Sequence, residues 1–220
     1  MGAFGRARAA RVTGGARQYH DEGEFEEVVQ KVTFGTTQRE GNKFFAHEGK
    51  ILSIARPPDA LIKGCKEGGI VSWTAGKKDY FWSDIKGYIL ALLDEEDNAD
   101  AFDEAVSEEA FDAICTAVSG KHQIAAGARI NARGRCFVDK DKNEKTGYVI
   151  VHWSGVPEEE QTPEGKVFLD KARFLMFDYA WPSTAEMDEA EATVTMRKEV
   201  DKAMAEYEAR NAAPAEQATA

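Results

Sequence analysis

The sharpest pattern in the chain is a two-residue alternation from Arg129 to Val138. Strand side chains point in turn to opposite faces. Arg129, Asn131, Arg133, Arg135 and Phe137 therefore share one face, and Ile130, Ala132, Gly134, Cys136 and Val138 the other. The second face is small and apolar and suits a core. The first is cationic and ends on an aromatic ring. After a turn-forming loop rich in Asp, Asn, Lys and Gly, the β-branched and aromatic run Tyr148–Trp153 predicts a partner strand, so this region reads as a β-hairpin. Upstream, Phe25, Val28, Val29, Val32 and Phe34 predict a strand over 24–34, and the polar stretch 36–42 a turn. A second strand spans 43–53, bent near Gly49, and Pro57 and Pro58 end it because proline cannot donate to a ladder. A third covers 69–75.

Between the third strand and the hairpin the period changes. Ser83 is a suitable N-cap, and Ile85, Tyr88, Ile89 and Leu92 form one face of a helix ending at Leu93. A second helix over 108–119 buries Phe111, Ile114 and Val118. The stretch Val167–Trp181 is too apolar for a free linker and should pack on the sheet. Ser183 and Glu186 form a capping box that starts a helix running to about residue 210. Its stripe (Met187, Ala190, Val194, Val200, Met204, Tyr207) is thin, which implies a helix that projects or pairs with a second copy of the chain.

The order β-β-β-α-β-β, mainly β with helical insertions, matches a five-stranded OB-fold barrel, here with an added C-terminal helix. The chain divides into a disordered basic arm (1–22), an OB-fold domain (23–157) with a helical insertion (83–119), a packing segment (158–182), the C-terminal helix (183–210) and a disordered tail (211–220).

Charge sharpens this picture. The formal net charge is −11, yet ten carboxylates and no lysine or arginine lie between residues 94 and 113. The strand-rich stretches are mostly basic, and the first twenty residues carry Arg6, Arg8, Arg11 and Arg17. A local basic face is felt even on an acidic protein, since screening acts over about 8 Å in physiological salt. No apolar run approaches the roughly 20 residues of a membrane span, and no secretory signal is expected. Cys65, Cys115 and Cys136 form no C-x-x-C pair, which points to a reducing compartment, the cytoplasm.

Arginine forks suit phosphates, and exposed rings suit bases. Arg129, Arg133 and Arg135, with Lys140, Lys142 and Lys145 of the hairpin loop and Lys77 and Lys78 beside Tyr80, are the phosphate-binding candidates. Phe137, Tyr148, Tyr80, Phe45 and Trp73 are the stacking candidates, whereas Trp153 and Phe44 are assigned to the core. His152 shares parity with Tyr148, and His47 and His122 have no evident partner. The loop Asp139–Glu144 begins like a calcium loop, but the sixth position is Glu144 and the twelfth Ile150, neither of which fits. The carboxylates of 94–113 lack accompanying histidines, so a solvated or DNA-mimicking acidic face is expected over a two-metal nuclease. The glycines near the N-terminus are not flanked by a strand and a helix, so no phosphate loop follows. With no nucleophile–base pair and no metal set, the chain is not read as an enzyme, and no cofactor is expected.

Three runs carry a resemblance: Gly41–Asp59, Gly68–Leu93 with KKDYFWSDIK, and Gly127–Gly155 with KTGYVIVHW. Over residues 24–157 the chain resembles the OB-fold single-stranded DNA-binding proteins of tailed bacteriophages. That resemblance implies a protein that coats single strands during phage replication or recombination in the host cytoplasm, with replication or recombination proteins as partners. The arginine arm and the final helix fall outside it, and the C-terminus lacks an acidic, hydrophobic-ended recruiting tail. The alternative is a structural or adaptor protein of the virion or its assembly, using a small barrel and a projecting helix.

Overall fold

The structure, a computed structural model, describes residues 18–37, 41–56, 65–75, 80–100, 107–120, 123–139 and 144–212. Its strands are β1 (Gln18–Tyr19), β2 (Gly23–Thr36), β3 (Lys43–Arg56), β4 (Ile70–Ala75), β5 (Arg129–Asp139) and β6 (Glu144–Ser154). Its helices are α1 (Phe81–Leu93), α2 (Glu108–Ser119), α3 (Pro163–Arg173) and α4 (Glu189–Ala212). The strands lie in the order β1-β4-β3-β2-β5-β6. The five longer ones are antiparallel, and β1 adds to β4 in parallel.

The sheet is strongly curled. In a flat sheet four strand spacings would put β4 and β6 roughly 19 Å apart, yet the rings of Trp73 and Trp153 lie 5.5 Å apart. Three register shifts in the β2–β3 ladder supply irregularities of the kind that add twist. The sheet does not close into the expected barrel: among the described residues no ladder joins β6 to β4. The edge of β4 that such a ladder would use is taken by Gln18 and Tyr19.

Helix α1 fills the trough. Its Tyr88 ring packs within 5.1–5.8 Å of the rings of Phe45, His47, Trp73 and Trp153. Eight of its side chains are buried, more than the one predicted face, because the sheet lies on one side and α2 and α3 cover the rest. It starts at Phe81 rather than after Ser83, which is exposed in the first turn and caps nothing.

A polar layer crosses the interior. Along β2 and β3 the inward residues run Phe25, Glu27, Val29 and Phe45, His47, Gly49, Ile51, so Glu27 and His47 separate an apolar cluster of Phe25, Ile51, Cys65, Val71 and Ala132 from the main core. His20 Nε2 lies 2.6 Å from Glu27 Oε1, and His47 Nε2 lies 3.0 Å from Glu27 Oε2. His47 Nδ1 lies 2.9 Å from the Tyr88 hydroxyl. With the imidazole neutral, Nε2 donates to the carboxylate and Nδ1 accepts the Tyr88 proton. Burial alone would raise the Glu27 carboxyl, but the hydrogen bonds from His20 and His47 outweigh it and hold it at about 2. Burial pushes the His47 imidazole below its ordinary value, against the pull of Glu27. A Cβ on Gly49 would overlap both the carboxylate and the imidazole, so glycine is required there.

The remaining helices pack on this body. Ser107 caps α2, its Oγ accepting from Ala110 N at 3.2 Å. The segment after Pro157 contains α3, capped by Thr162 and followed by a π-helical turn, Phe174–Asp178, which buries Phe174, Leu175 and Met176. Helix α4 begins at Glu189, where Asp188 Oδ1 accepts from Glu191 N, and not at the Ser183 capping box. Its buried stripe is Ala192, Met196, Val200, Ala203 and Met204, spaced 4, 4, 3 and 1, while Ala190 and Val194 are exposed. The stripe packs against α2 and the π turn, so this helix does not project. Residues 18–22, predicted as part of the disordered arm, are ordered into the sheet and the polar layer.

Candidate nucleic-acid interface

The inner residues of β5 settle the direction of the outer ones. Ile130 and Ala132 are buried in the trough, so the pleat turns Arg129, Asn131, Arg133 and Arg135 to the convex face. On that face Glu24 of β2, Arg133 and His152 of β6 stand side by side, and Arg135 is opposite Ile150. Exposed Lys50 lies on the same face. The alternation fails only at the far end of the hairpin. A register shift between Cys136 and Val138 leaves Val138 41% exposed instead of buried.

The arginines differ in how they are held. Arg129 has its backbone fixed by Gln161, whose buried amide accepts from Arg129 N at 2.8 Å and donates to Arg129 O at 2.9 Å. Its guanidinium is spent on Glu26 and the Glu160 carbonyl. It fastens the sheet to the following turn and is not open to a phosphate. Arg133 Nε lies 3.2 Å from Glu24 Oε1, with both side chains well exposed. Arg135 is exposed, and among the described side chains no carboxylate pairs with it. Strand β2 begins at Gly23 opposite Gly134, and the adjoining Glu22 carboxylate accepts from Cys136 N at 3.2 Å.

The stacking candidates fare less well. Phe45 is fully buried against Tyr88, and Trp73 is half-buried between Phe45, Tyr88 and Trp153, so neither offers a free face to a base. Phe44 and Phe45 exchange their predicted roles: Phe45 is the core residue, and Phe44 is half-buried. Trp153 packs on the core, as assigned. Tyr80 is 68% exposed but lies two residues from Trp82, which packs on Phe34 at the opposite end of β2 from Glu24. It is not beside the arginines. Phe137, Lys145 and Tyr148 belong to the hairpin strands, with Lys145 paired to Val138 in β6 rather than in the loop, but their side chains are outside those described. Lys77, Lys78, Lys140, Lys142 and His122 lie outside the described residues.

Sequence reasoning missed the acidic half of this face. Glu24 and Glu26 alternate with inward Phe25 and Glu27, a signal present in the first strand, but which strand they adjoin depends on the β2–β5 ladder. It also missed the partner of His47, which is Glu27. Among the described residues no group of His, Cys, Asp or Glu is placed to hold a metal ion. The open recess at Asp94–Asp97 is lined by carboxylates, which would repel a phosphate. None of the described helices is long and apolar enough to cross a membrane. No protein-family model matches the chain, and no curated protein matches it.

Proposed function

We propose that this chain binds single-stranded DNA without reading its sequence, through the convex face of β5 and β6 and the loop that joins them. The observation that carries the reading is the pair Arg133 and Arg135, turned outward on a strand whose other face is locked into the core. Guanidinium forks neutralise phosphates and release counterions, whatever the bases.

The sheet order lends further support. Without β1 the sequence of strands across the sheet is third, second, first, fourth, fifth. That is the order of an OB barrel opened between its third and fifth strands, and we read the fold as such a barrel with β1 seated in the seam. Residues 140–143, outside the described residues, then connect the fourth and fifth strands, a position at which OB folds hold oligonucleotides. Coating of strands in phage replication or recombination, in the host cytoplasm, is the setting the resemblance implies and belongs to the same proposal. The structural or adaptor role drew on a projecting helix, and the buried stripe of α4 removes that motive.

Direct titration tests the reading. All four tryptophans are half-buried and packed on the core, so their fluorescence is a poor reporter, and labelled dT oligomers of graded length should be followed by anisotropy. Three to six phosphate contacts predict a slope of log K against log salt of about −2 to −4, at about −0.7 per phosphate for single strands. No saturable binding, or binding indifferent to salt, would refute the reading.

A further inference from the structure

Carboxylates of the sheet itself hold the arginines of β5 to different degrees. Arg129 is tied to Glu26 and to the Glu160 carbonyl; Glu26 also accepts from Ser53 Oγ at 3.2 Å, and the Arg129 side chain is only 23% exposed. Among the described side chains the acidic partner of Arg133 is Glu24, and the two are 45% and 38% exposed. Arg135 lies past the start of β2, where Glu22 turns its carboxylate to Cys136 N, and among the described side chains no carboxylate pairs with Arg135. Over six residues, roughly 20 Å of strand, the cations therefore pass from locked through exchangeable to free.

A carboxylate and a phosphodiester present the same kind of anionic oxygen to a guanidinium, and they compete for it. An ion pair open to water is weak and exchanges its partners readily, whereas one that is partly buried and further hydrogen-bonded does not. We infer that Glu24 is an internal counter-ion of the DNA-binding face, displaced from Arg133 by a phosphodiester, so that this one glutamate lowers the affinity of the face. Glu26 is its fixed counterpart and ends the site at Arg129. The inference rests on the nucleic-acid reading given above. It adds that the bound strand lies toward the hairpin end of β5 and stops short of Glu160.

The test compares wild type, Glu24→Gln, Arg133→Gln, the double variant and Glu208→Gln in binding a labelled dT oligomer at fixed salt. Glu208 is exposed on α4 and controls for the loss of one negative charge. Glu24→Gln should tighten binding about two- to five-fold, the size set by an exposed ion pair, while Glu208→Gln changes nothing. In the Arg133→Gln background the gain should vanish. An unmoved Glu24→Gln, or the same gain without Arg133, overturns the inference while leaving the nucleic-acid reading intact. Failure of all five proteins to bind overturns both. Because the expected result is a gain, misfolding cannot imitate it. In the wild type, the Arg133 Nε–H resonance should shift on adding dT while that of Arg129 stays; both shifting, or neither, also overturns the inference.

Discussion

Placing Glu27 inside the sheet forces choices on its neighbours. The carboxylate needs two imidazoles, one of the imidazoles needs the Tyr88 hydroxyl, and Gly49 must carry no side chain. This makes the fold sensitive to acid, with a sign that can be worked out. His47 titrates near 6.5 in the unfolded chain and lower in the folded one. Below that value the unfolded chain takes up a proton that the folded chain refuses, so stability falls as pH falls. Glu27 acts in the same direction further down. Its contribution is present above 4.5 and is lost as pH falls towards about 2, on the order of 3 kcal/mol. Asp21, raised by its burial, works the other way and offsets part of this. The thermal midpoint should drop steadily from pH 7 to pH 4; a flat profile would mean that the buried layer does not form. Parity alone could have turned both Glu27 and His47 inward, but their meeting depends on a β2–β3 ladder with three register shifts. The same ladder decides between Phe44 and Phe45, and for that reason adjacent rings could not be told apart from the sequence.

Elements written in short-range pattern were legible, and those set by distant partners were not. Four of the long strands and α2 fall where the apolar pattern puts them, α2 at the predicted bounds, whereas β6 begins at Glu144, four residues inside the expected loop. The start of α4 does not, because Trp181 Nε1 bonds to Leu175 O at 2.8 Å and Thr184 packs toward Glu109, holding the chain in turns past the Ser183 box. The largest miss is Gln18–Glu22, which looks like the end of an arm. In the structure it lies along β4, gives His20 to Glu27, and has Glu22 accepting from Cys136 N at 3.2 Å. A chain lacking residues 1–17 is the reference against which this segment is tested. Removing 1–22 strips a partner from a buried carboxylate, a loss of about 3–5 kcal/mol, which lowers the midpoint by roughly 10 °C. Equal midpoints for the two truncations would show that the segment is dispensable.

Charge is sorted by surface across the protein, which explains how an acidic chain can present a cationic strip. The carboxylates of 94–97 and 158–160 sit on the turns flanking the sheet, and Arg173 gathers Glu95 and Glu158 there. The convex end of β5 keeps Arg133 and Arg135 outward. Replacing both by glutamate should weaken dT binding by at least a hundredfold through the lost phosphate contacts, with thermal unfolding nearly unchanged. Arg129→Glu should instead lower the midpoint, since it faces Glu26. The opposite pattern, measured by anisotropy and calorimetry on the same samples, would invert the roles assigned to the three arginines. Sheet order was implicit in the order of elements, but the open seam was not, because it depends on β1 taking the place beside β4.

That seam has an optical consequence. Two indoles, one from each strand flanking the opening, sit 5.5 Å apart with their planes at 81°. Chromophores so near and so steeply inclined couple electronically, and the coupling fades quickly as they separate. The near-ultraviolet circular dichroism of the protein should therefore change if its two margins separate.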